Sequence, residues 1–220
     1  MGISNFSTSG LKPGVCTSTT RPSAPYEGMM IYETDTNRVL IWDNAAWVMI
    51  ADTDTPPGLE LVKAQTVGSG VSSVNVTSVF SSTYDNYEIS YSDITASVNG
   101  GAMLIKMLAG TTPTTNGFYG NTFYINNAFT GGLTNANYVN SSYGEVGCVT
   151  STFKNAAIWQ MQQPFLSTQT LLQFSAVDNN YWRFGSFVVN NSTSYDGFQL
   201  LPSSGTLTGG TICVYGYRKS

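Results

Sequence analysis

The chain has 220 residues, 13 acidic and 9 basic groups, a net charge of −4 and no histidine. Charged residues are only 10% of it, far below the roughly 25% of an ordinary soluble domain, so the composition argues against the basic face that nucleic acid requires. The missing histidine removes Ser-His-Asp and Cys-His catalysis, histidine-ligated metal sites and the commonest general base.

In chain order, residues 1–20 are small and polar and predict an extended N-terminal arm. The opening MGISNFSTSGLKPG lacks the basic and apolar regions of a secretory signal, which points to synthesis in a reducing cytoplasm. Residues 21–50 predict a three-stranded β-meander. Met29–Glu33, Arg38–Asp43 and Ala46–Ile50 are rich in β-branched and aromatic residues, and Thr34–Asn37 and Asn44-Ala45 are turn chemistry between them. Pro22 and Pro25 keep the approach to it extended. So small a sheet does not bury its apolar side alone. Met30, Tyr32, Leu40, Trp42 and Trp47 are therefore expected at an assembly interface. Residues 51–58, with Pro56 and Pro57 adjacent, predict a semi-rigid linker.

From residue 59 onward the pattern is strand after strand. Leu59–Thr66, Val71–Thr77, Tyr87–Ile94, Ala102–Leu108, Ala156–Met161, Thr170–Val177, Tyr181–Val189, Tyr195–Leu201 and Thr211–Tyr217 all read as strands. Ala102–Leu108 is apolar enough to be covered on both faces, and the last strand, with Gly216 allowing a close approach, is expected near the centre of a sheet. Residues 110–147 are Gly, Asn, Thr and Tyr with short apolar pieces, and read mainly as turns. No segment carries a sustained helical period with caps. The fold expected is all-β: a small N-terminal meander, then an antiparallel, jelly-roll-like β-sandwich over 59–220. No run of 18 apolar residues is present, so no membrane insertion is expected.

The remaining enzymatic option is a carboxylate pair, because glycosidases need only two. The candidates are Asp85 with Glu88, Asp178 with Asp196, and Asp52 with Asp54, and each sits in turn or linker chemistry that explains it better. Neither a P-loop nor a nucleophile elbow occurs. No catalytic residue, metal ligand or cofactor is therefore assigned. Cys16, Cys148 and Cys213 are odd in number and widely spaced, which gives no zinc pattern or disulfide framework, although a Cys16–Cys148 bridge stays open. Aromatic and Asn-rich segments admit a second kind of function. Tyr119, Asn121, Asn180 and Trp182 are placed in turns where rings stack on sugars and amides bond their hydroxyls.

One stretch resembles a known module. Arg21, Pro22, Pro25, Glu27, Gly28, Ile31, Tyr32, Thr34, Asp35, Thr36, Asn37, Arg38, Leu40, Ala46 and Trp47 match a pattern that recurs in tail fibres, head fibres and other virion appendages of tailed bacteriophages. Phe80–Tyr87 and the closing Gly209–Ser220 are similar, more faintly, to β-sandwich domains of phage virion proteins. The resemblance implies a non-enzymatic virion structural protein, a homotrimer or other symmetric assembly, with partners such as the major capsid protein or tail components. The chain lacks a coiled-coil shaft and fibrous repeats, which favours a compact capsid-decoration, cement or head-fibre protein. The alternative is a tail-associated protein that binds a host surface glycan.

Overall fold

The computed structural model describes residues 13–52, 58–126, 132–152, 155–178 and 181–219. The chain divides into two compact units, Met1–Pro57 and Gly58–Ser220.

The N-terminal unit is a four-stranded sheet of β1 (Gly14–Cys16), β2 (Met30–Glu33), β3 (Arg38–Trp42) and β4 (Trp47–Asp52), in that spatial order. β2, β3 and β4 form the expected meander. The turns close as their residue types dictate. Asn37 and Asn44 adopt positive φ (53° and 78°), and the Asp43 side chain accepts from the Ala45 and Ala46 amides at 2.9 and 2.7 Å. The expectation for 1–20 requires a correction. Gly14–Cys16 is not part of a free arm but pairs in parallel with Ile31–Glu33. Nothing local in Gly-Val-Cys announces that pairing, because its partner lies 17 residues further along the chain.

The second unit is an antiparallel β-sandwich, and no helix occurs among the described residues. Its strands are β5 (Leu59–Thr66), β6 (Val74–Val76), β7 (Tyr84–Ser92), β8 (Thr95–Ala96), β9 (Gly101–Ala109), β10 (Thr112–Pro113), β11 (Phe118–Asn126) and β12 (Thr134–Ser141). They continue with β13 (Gly144–Val149), β14 (Ala156–Gln162), β15 (Thr170–Val177), β16 (Tyr181–Val189), β17 (Gly197–Pro202), β18 (Leu207–Thr208) and β19 (Thr211–Arg218). One sheet has eight strands in the order β12-β11-β16-β15-β14-β7-β19-β5. The facing sheet runs β10-β9-β17-β6, with β13 also on β9, and β18 and β8 form a two-stranded ribbon. Residues 110–147, expected to be mostly turns, supply β11, β12 and β13, three full strands.

The core lies between the two sheets. Tyr87, Ile89, Tyr91, Trp159 and Met161 from the large sheet meet Met103, Ile105, Met107, Phe198 and Leu200 from the small one. Trp159 is fully buried, its ring 6.0 Å from Phe198, and its indole N–H donates to the Val146 carbonyl at 2.8 Å. The Tyr91 hydroxyl donates across to the Cys148 carbonyl at 3.3 Å. Each large side chain so buried contributes about 1.5–3 kcal/mol. β19 is paired on both sides, by β7 and β5, but stands one place from the sheet edge rather than at its centre. The Tyr84 ring packs where a Gly216 Cβ would sit, which is the close approach expected there.

Candidate functional site

In the N-terminal unit the matched stretch is held by polar contacts. Glu33 is fully buried and forms an ion pair with Arg21 Nε, and Thr36 Oγ1 donates to its other oxygen at 2.7 Å. The Arg21 hydrogen bond holds the Glu33 carboxyl below the usual range against the opposing cost of burial. Asp35 accepts from the Ser18 hydroxyl (2.6 Å) and the Ser18 amide (2.9 Å), which lowers its pKa likewise. Tyr32 donates to Asn37 at 2.9 Å across the turn. Arg21, Asp35 and Asn37 thus staple the segment between β1 and β2 and the turn after β2 to β2 and to each other.

Register assigns the apolar residues to two faces. Ile31, Leu40 and Met49 align on one, together with the Trp42–Trp47 pair. Ile31 and Leu40 are buried, and the two indoles close edge to face at 5.5 Å. Met30, Ile41 and Val48 align on the other face, joined by Val15, Tyr32 and Val39. There Val15, Met30 and Val48 are 55%, 44% and 43% exposed. The expected interface set is therefore split. Met30 and Tyr32 belong to the open face. Leu40 is corrected to an interior residue, and Trp42 and Trp47 pack on each other within the chain. Val15, Ile41 and Val48 were missed; alternation in RVLIW and WVMI could have found Ile41 and Val48, whereas Val15 joins the face only through the β1–β2 pairing. Along the outer edge strand β4, Val48, Met49 and Ile50 are all exposed.

A second candidate lies on the outer face of the eight-stranded sheet. Tyr119, Asn121 and Trp182 are not in turns but on β11 and β16, and their register puts them on one face. Asn180 lies outside the described residues. Trp182 is 46% exposed, its indole N–H reaching Ser175 Oγ at 3.3 Å. Its ring tilts over Phe184 at 5.2 Å, and Phe184 stacks on Phe123 at 5.6 Å. Phe123 and Phe184 were not singled out in the sequence, because only the β11–β16 pairing brings residues 61 apart into one strip. Around the strip, register sets Gln160, Gln173, Ser186, Asn121 and Asn137 in a single row. Beside it, a depression of about 390 Å³ is floored by small residues, Ser90, Ser92, Ala156 and Ser175, and walled by Ile158 and Val177.

Of the carboxylate pairs, Asp85 and Glu88 are each engaged by a different partner: Asp85 meets Lys219 at 2.8 Å and Glu88 accepts from Tyr217 at 3.2 Å. The expectation of turn chemistry at Asp85 is corrected, since β7 already begins at Tyr84. Asp178 accepts from the Tyr181 amide (2.7 Å) and contacts Cys148, opposite the Ala102 end of β9. Asp196 accepts from the Gly110 amide (2.8 Å) beyond the other end of that strand. Asp54 lies outside the described residues. Among the described residues no group of three acidic, cysteine or histidine side chains is placed to hold a metal. All three cysteines are free, so no Cys16–Cys148 bridge forms.

The sandwich also contains a buried ion pair, Glu145 (6% exposed) with Arg183 (7%). Tyr138 donates to Glu145 at 2.5 Å, and the rings of Tyr124 and Tyr181 each lie 5.3 Å from the guanidinium. Burial lowers the Arg183 pKa.

No family model matches the chain, and no curated protein matches it either.

Proposed function

We propose that the chain is a non-enzymatic structural protein of a tailed-phage virion, a compact oligomeric appendage that attaches through its N-terminal unit and presents the sandwich outward. Capsid decoration, cement or head fibre is the favoured role, and a trimer the favoured state. The observation that carries the reading is the open face of the small sheet, with Met30 and Val48 exposed on it beside the exposed edge residues Met49 and Ile50. An open apolar face and edge on so small a sheet are a liability unless a partner covers them. The virion setting comes from the resemblance of residues 21–50. The test is a Met30→Asp/Val48→Asp double variant compared with wild type by native mass spectrometry and by binding to particles lacking the protein. Loss of oligomer and of particle binding, with the sandwich melting unchanged, supports the reading. A wild-type chain that stays monomeric and ignores particles refutes it.

A second reading, a tail-associated protein that recognises a host glycan, is favoured by the aromatic and amide face of the large sheet. Copy number per particle separates the two. A number comparable with the capsid protein means shell, and a few copies mean tail.

A further inference from the structure

The outward residues of β14, β15, β16, β11 and β12 are uncharged, and on the adjoining β7 the acidic Glu88 stands opposite Gln160. The outward residues run Ala156, Ile158, Gln160 and Gln162 on β14, and Leu171, Gln173, Ser175 and Val177 on β15. They continue as Trp182, Phe184, Ser186 and Val188 on β16, and Tyr119, Asn121, Phe123 and Ile125 on β11. Asn135 and Asn137 extend the rows on β12. From this face we infer a binding site for an uncharged, hydroxyl-rich oligosaccharide, centred on Trp182, with one sugar ring on the indole and its neighbour in the adjoining depression. The inference deepens the second reading above and is independent of the first.

Three features fit that ligand together. The first is the aromatic strip. Trp182, Phe184 and Phe123 form a chain of rings at 5.2 and 5.6 Å, and the Ser175 bond orients the indole. An aromatic face carries partial negative charge and attracts the weakly positive C–H face of a pyranose. The second is the row of amides and hydroxyls. Asn and Gln each offer both donor and acceptor, which matches hydroxyls that also do both. The third is a shallow, open depression of about 390 Å³ beside the strip, and Ser175 belongs both to its floor and to the tether of Trp182.

The chemistry discriminates among ligands. An anionic sugar would lose its hydration against a face with no cation to replace it. A second copy of this chain would have to pair every amide of the row or leave it buried and unsatisfied. A neutral glycan has no charge to desolvate, and its many hydroxyls can pair the amides of the row.

The test uses the full chain on an array with neutral and anionic oligosaccharide arms, followed by titration calorimetry with the best neutral ligand. Wild type is expected to retain neutral glycans and not anionic ones. Trp182→Ala is expected to weaken binding by about tenfold or more, the scale of a central anchor residue. Because Trp182 is half exposed, its loss should leave the melting curve nearly unchanged. Ala156→Trp, which fills the depression while keeping the strip, is expected to abolish binding as well. The inference is overturned by no retention of any neutral glycan, by retention of anionic glycans alone, or by equal binding of wild type and Trp182→Ala. Self-association that Trp182→Ala disrupts, with no glycan bound, also overturns it and assigns the face to a second copy.

Discussion

The buried pair Arg183–Glu145 gives the sharpest stability prediction. Arg183→Met keeps most of the side-chain volume but removes the positive charge, leaving Glu145, only 6% exposed, with a hydroxyl partner from Tyr138 and no cation. An orphaned buried charge of this kind costs about 3–5 kcal/mol. Against a total domain stability of about 5–15 kcal/mol, that is a large fraction. For a unit of this size it lowers the melting temperature by about 6–20 °C. Adding Glu145→Gln removes the uncompensated charge while an amide oxygen still accepts from Tyr138, so the double variant should recover most of the loss. The assay is urea and thermal unfolding of wild type, both single variants and the double, arranged as a thermodynamic cycle. If Arg183→Met lies within about 1 kcal/mol of wild type, or the double variant loses the sum of the two singles, the pair is not a desolvated unit and the reasoning fails.

Three further outcomes are expected. Glu33 is held below its ordinary pKa of about 4.3 by Arg21, so its contribution is complete above that value and is lost as pH falls through the lower folded value. An acid titration of the N-terminal unit should show this loss, and Glu33→Gln should flatten it. Gly120→Ala would drive a methyl into the Ser186 carbonyl and the Phe187 ring on β16, costing about 1–3 kcal/mol or more, and an unchanged urea midpoint would disprove the close approach. Cys148 is fully buried, and desolvation followed by the charge of Asp178 pushes its thiol pKa up. It should therefore resist alkylation in the native state and react only on unfolding, as peptide mapping would reveal.

The strands legible in the sequence were those with one buried and one open face, and the apolar run Ala102–Leu108, which is buried on both faces within β9 as expected. Thr170–Val177 alternates buried and exposed at every residue, and its expected bounds are those observed. Tyr181–Val189 was equally plain because its aromatics leave no other reading. Residues 110–147 misled for a physical reason. Gly120 and Gly147 are glycine because β16 and Tyr91 press against them, not because the chain turns. Asn121, Asn135 and Asn137 face outward, where a strand needs no apolar residue. The candidate surfaces were half legible. Trp182 and Tyr119 could be singled out by type, but their sharing a face with Phe123 is a property of strand pairing. The two faces of the small sheet were readable in principle from alternation. What hid them was the weight given to large aromatics, and Trp42 and Trp47 spend much of their surface on each other.

The position of β19 constrains how the molecule is made. It lies between β7 and β5, strands from the opposite end of the second unit, and it hydrogen-bonds both. During synthesis those two earlier strands emerge with the place between them empty, and their facing backbone groups stay unpaired until Thr211–Arg218 arrives. Within the large sheet, β11–β12 and β14–β15–β16 can zip beforehand through near neighbours in sequence, whereas β7–β14 and β11–β16 are long-range pairings that form before the last strand is made. The closing event is then the late insertion of one strand into a waiting slot. A nascent chain halted before Thr211 presents two open edges and is a ready template for aggregation. The slot is also complementary to a single short segment, so a synthetic peptide of Thr211–Arg218 supplied in trans has a defined place to bind.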